Sequence, residues 1–103
     1  MSLTPDSDPI DRPQAIELHW KAIEEGLLPI WTVYWSPTDM PGKAVARPMF
    51  IGRAAAEPES TMLVSRACLV ADTVEAVRAL LPPDLFRMPR TTEDEPQIVE
   101  SWL

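Results

Sequence analysis

The sequence predicts an α+β domain: a mostly antiparallel sheet of about four to five strands with two helices packed on one face, in the order α-β-β-β-α-β-β. Three observations lead there. Two segments begin with helix-capping residues and carry apolar positions at helical spacing. Four or five short runs rich in β-branched and aromatic residues alternate with period two, bounded by Pro, Gly and Asp. The order of these runs shows no βαβ alternation strong enough for a doubly wound parallel sheet.

Asp11 is a fitting N-cap, with Pro13 in the first turn and Gln14 three residues on completing an Asp-x-x-Gln capping box. A helix from about Arg12 to Glu25 follows, stopped by Gly26. Its Ile16, Trp20, Ile23 and Leu27 recur at i, i+4, i+7 and i+11, which marks them as the buried face and leaves His19 on the polar side. Ile30 to Trp35 is the clearest strand, with Trp31, Val33 and Trp35 on one face and Ile30, Thr32 and Tyr34 on the other. Residues 36–42 form a loop, because two prolines and a Pro-Gly pair forbid regular structure.

A second strand is expected from Lys43 or Ala44 to Ile51. Pro48 removes a ladder donor from it, which predicts an edge strand or a bulge. A third strand lies within Met62 to Ala71, clearest at Ala67-Cys68-Leu69-Val70. Asp72-Thr73-Val74-Glu75 reads as a second capping box, opening a short helix buried through Val74, Val77, Leu80 and Leu81 and halted by Pro82-Pro83. Leu85 to Met88 and Gln97 to Leu103 supply the closing strands, on either side of an acidic loop. Residues 1–10, polar and without periodicity, read as a disordered tail, so that residues 11–103 form the single domain.

Composition narrows the function. A chain of 103 residues fits one core, and 46% hydrophobic with 24% charged residues is ordinary globular usage, not that of an acidic disordered chain. The net charge of −7 disfavours direct binding of nucleic acid or an anionic membrane and favours a protein partner with a basic surface. Without a membrane-length apolar run or a signal-peptide pattern at Met1 to Asp6, and with Cys68 alone, the expected location is the cytoplasm.

No constellation of residues specifies catalysis. His19 is the one histidine available to a nucleophile, and a solvated surface position explains it. Glu93, Asp94 and Glu95 lie in a loop where adjacent side chains diverge, so they fit an electrostatic contact better than a general acid–base pair. One His, one Cys and scattered acids match no metal-binding spacing, and the isolated glycines form no phosphate loop, so neither metal nor cofactor is expected. Lys43, Arg47, Met49 and Ile51 share strand parity and could form a small anion-binding strip. Four Trp residues are many for this length, and two are expected in the core with at least one partly exposed.

Trp31-Thr32-Val33-Tyr34, Pro37-x-Asp39-x-Pro41, Val45-Ala46-Arg47, Val70-Ala71-Asp72-Thr73, Leu80-Leu81-Pro82 and Ile98-Val99-Glu100-x-Trp102-Leu103 resemble a group of short bacterial and phage-associated proteins. The resemblance covers about residues 30–103 and implies no assigned activity and no functional residue. Its context implies a small acidic inhibitor of a host nucleic-acid-binding machine, of the anti-CRISPR kind, in which carboxylates occupy a basic channel. The leading expectation is therefore a non-catalytic protein-binding module using Glu93, Asp94, Glu95, Trp35 and Arg47. The alternatives are a small enzyme or ligand-binding domain built on His19, Cys68 or the Arg47 region, and a structural component, such as a homodimer, that self-assembles through the second strand's edge.

Overall fold

A computed structural model describes residues 8–52, 62–64, 66–89 and 97–103. The element order is β1 (Asp8–Pro9), α1 (Arg12–Glu24), β2 (Leu27–Trp35), β3 (Ala44–Gly52), β4 (Met62–Val64), β5 (Ala67–Ala71), α2 (Val74–Arg78), β6 (Arg87–Pro89) and β7 (Ile98–Trp102). The α+β class holds, but the sheet is larger and mixed: its order is β1-β5-β3-β2-β7-β6, with β4 also paired to β3. All pairs are antiparallel except β1 with β5. The sheet begins three residues before the expected start of the domain, because Asp8–Pro9 lies alongside Ala67 and Cys68, while residues 1–7 lie outside the described residues.

The capping box of α1 forms as its sequence implies: Gln14 N donates to Asp11 Oδ1 at 2.9 Å, and Asp11 N donates to Gln14 Oε1 at 3.0 Å. Gly26, at φ +82, ends the helix in the left-handed conformation that glycine adopts without a Cβ penalty. In α2 the cap shifts by one residue from expectation. Thr73 Oγ1 accepts from Ala76 N at 3.0 Å, leaving Asp72 to pair with Lys43 Nζ at 2.5 Å.

Pro48 does not mark an edge. β3 is central, flanked by β2 on one side and by β4 and β5 on the other. Trp35 N donates to Gln97 O toward β7 and Ser36 N donates to Lys43 O toward β3, which sets the alternation of backbone donors along β2. Pro48 stands opposite Trp31 in a non-hydrogen-bonded pair, so its missing donor points away from β2. On that side β5 pairs through Ala46 and β4 resumes at Met49, so the proline falls where the ladder changes partner. The same alternation turns the missing donor of Pro29 toward the β7 side, where β7 reaches back only to Trp31.

Both helices cover one face of the sheet. Ala15 of α1, with Val77 and Leu81 from α2 and the turn after it, packs in one core with Trp31, Val33, Ala44, Ala46 and Leu69. Alanines from helix and sheet leave room for the fully buried Trp31 indole, a large-against-small arrangement that close packing requires. Trp102 lies directly across the β2–β7 ladder from Trp31 and packs against the same core.

Candidate functional site

The helix α1 buries a face other than the one its apolar residues mark. Ala15, His19 and Ala22, also spaced i, i+4 and i+7, face the sheet, while Trp20 remains 47% exposed and Ile23 41% exposed. The bulky stripe is displaced because Trp31 already fills the space beneath the helix, so that two alanines and an imidazole face it and Leu18 packs half-buried beside them. His19 is correspondingly buried and not solvated: its Nδ1 accepts a hydrogen bond from Trp31 Nε1 at 3.1 Å. Burial holds its pKa below the ordinary 6.5, so the neutral ring carries its proton on Nε2. The Trp20 ring stands edge-on to His19, at 89° and 5.5 Å between centroids.

Beside this helix face runs an apolar groove of about 360 Å³. His19, Trp20 and Ile23 form one wall, Leu27, Leu28 and Pro29 of β2 a second, and Pro83, Leu85 and Leu103 a third, with Asp84 at the rim. Leu28 is 39% exposed, and Asp84 holds φ +67, a left-handed conformation that Asp tolerates better than most residues. Glu17 and Glu24, three residues before and four after Trp20, share its side of the helix and are exposed. Large apolar side chains are thus left in water around a concavity and bordered by carboxylates.

The expected binding residues do not gather at one place. Trp35 is exposed at the end of β2 on the helix-covered face, whereas Arg47 projects from the opposite face. Arg47 forms an ion pair with Asp39, and its guanidinium lies 5.6 Å from the Tyr34 ring centroid. Lys43 is paired with Asp72, whose carboxyl is held below the usual range by that hydrogen bond, so the proposed anion strip has carboxylates at both cations. Glu93, Asp94 and Glu95 lie outside the described residues. Cys68 is buried on the sheet face away from the helices, so it cannot act together with His19.

A charged cluster that sequence spacing did not reveal lies at Glu100, which is 1% exposed on the helix-covered face opposite Val33. Arg78 of α2 grips its carboxylate with two hydrogen bonds of 2.6 Å, and Trp102 Nε1 donates at 2.7 Å. Arg87 Nη1 approaches at 3.5 Å. Burial alone would raise the Glu100 pKa, but hydrogen bonds from Arg78 and Trp102, together with the charge of Arg78, hold it below the usual range. The carboxylate is saturated by these donors and joins α2 to β7, a structural role.

No protein-family model matches the chain, and neither the curated proteins nor the solved structures contain a match. Among the described residues no three His, Cys, Asp or Glu side chains are grouped so as to hold a metal ion, and no helix is long and apolar enough to cross a membrane.

Proposed function

We propose that this protein is a non-catalytic binding module whose partner is a protein with a basic surface. The observation that carries this reading is the inverted helix α1, which turns Ala15 and Ala22 inward while Trp20 and Ile23 stay in water beside an apolar groove. Exposing large apolar side chains costs hydration free energy that a buried stripe would avoid, and such patches on a small domain mark interaction surfaces. The net charge of −7 selects a cationic partner and steers its approach.

A partner that itself binds nucleic acid would make this protein a competitor for its basic channel, in line with the phage-associated resemblance. The catalytic alternative loses support from the position of His19, whose Nδ1 is engaged by Trp31, and from its separation from Cys68. Self-assembly through β3 loses its motive, since β3 is paired on both sides.

The test is a tagged pull-down from the source cells, and from cells carrying nucleic-acid defence systems, at about 50 and 500 mM salt. A stoichiometric partner with a basic surface, retained at low salt and released at high salt, is the expected result. A monomer recovered alone at both salts would overturn the reading.

A further inference from the structure

Resting on that reading, we infer that the groove beside α1 receives an amphipathic, Lys- and Arg-bearing helix of the partner, whose apolar residues fill the groove while its cations meet Glu17, Glu24 and Asp84. Three features of the surface select this occupant.

The first is the backbone beside the groove. The open side of β2 at Leu27 to Pro29 could in principle accept an added strand, since β7 pairs no further back than Trp31. The donor that Pro29 lacks is one that would face that strand, so the edge offers a broken ladder and recognition falls to side chains. The second is the spacing of the apolar contacts. Trp20 and Ile23 form an exposed stripe three residues apart on α1, beside a groove that Leu27 and Pro29 also line, which suits a facing helix with anchors at i, i+3 and i+4. The 13 residues of α1 span about 20 Å, and a partner helix of about 18 residues, roughly 27 Å long, covers that length.

The third feature is charge. Glu17 and Glu24 line the outer side of the stripe and Asp84 stands on the groove's far rim. A second copy of the chain would bring another net −7 against the same border, whereas a cationic helix is attracted to both sides of it.

The probe is a synthetic Leu/Lys amphipathic helix of about 18 residues, titrated by fluorescence against the 103-residue protein. Two control peptides accompany it: a Leu/Glu counterpart and a scrambled Leu/Lys sequence without an apolar face. The Leu/Lys helix is expected to bind, the Leu/Glu helix not to bind, and the scrambled peptide to bind at least about tenfold more weakly. Trp20→Ala with Ile23→Ser should weaken binding by about tenfold or more, at an unchanged melting temperature, read by a label on the peptide. Glu17→Gln with Glu24→Gln should weaken it less and flatten its salt dependence. Equal binding of the scrambled or Leu/Glu peptide, or no binding of the Leu/Lys helix, would overturn the inference. So would a concentration-dependent dimer, seen by sedimentation, that Ile23→Ser abolishes. If a captured partner still depends on Trp20 and Ile23 while the Leu/Lys helix fails, only the occupant is wrong; if no partner is captured, the wider reading falls as well.

Discussion

The hydrogen bond from Trp31 Nε1 to His19 Nδ1 ties the stability of the core to the protonation state of a single imidazole. Protonated His19 has no lone pair to accept with and would place a charge in the interior. Its folded-state pKa lies below its unfolded value near 6.5, so the unfolded chain binds the proton more readily. The contribution is complete above about pH 6.5 and is lost as pH falls toward the folded pKa, with a slope of at most about 1.4 kcal/mol per unit. Denaturant melts between pH 5 and 7 should show this slope, and His19→Gln, which keeps an acceptor but does not titrate, should remove it. An unchanged slope in that variant would show that another group titrates there. Cys68, with no exposed surface, should resist a thiol reagent in native buffer and react once urea unfolds the chain; fast native modification would contradict its burial.

At the scale of the element, local chemistry read from sequence succeeded where one rule dominated and failed where two competed. The capping box at Asp11 and the stop at Gly26 were legible because each depends on adjacent residues alone. The face of α1 was not, because the Ile16–Trp20–Ile23 stripe and the Ala15–His19–Ala22 stripe share the same period. Hydrophobicity favours the first, but the volume taken by Trp31 admits only the second. Pro48 misled in a related way: a missing donor excludes a central strand only where the ladder is continuous, and here β3 changes partner between Ala46, paired with β5, and Met49, paired with β4. The Glu100 clasp was invisible because it joins residues 22 positions apart through burial that no local pattern signals. Arg78→Ala should destabilise the protein by about 2–3 kcal/mol, less than for a wholly buried pair because Arg78 itself is 36% exposed. Glu100→Gln, which leaves no buried charge, should cost less; the reverse order in chemical denaturation would contradict the clasp.

On the scale of the whole molecule, the sequence made the α+β class, the covering of one sheet face and the acidic balance legible, while the place where partners bind emerged only from packing. A face can be identified as exposed only when the competing face is known to be buried, and that depended on Trp31, Ala44 and Ala46 from two other elements. The resulting division of labour is simple: Ala15, His19 and Ala22, with the half-buried Leu18, attach α1 to the sheet, and Trp20 and Ile23 remain available. Substitutions on the outer stripe should therefore separate binding from stability, whereas Trp31→Ala should lower stability by about 3–5 kcal/mol. The most direct measurement is the pull-down repeated with Trp20→Ala, Ile23→Ser protein beside the unmodified chain, with thermal melts on both. Loss of the partner at an unchanged melting temperature is the expected result. Retention of the partner by the variant would show that the exposed stripe of α1 is not the surface through which this protein acts.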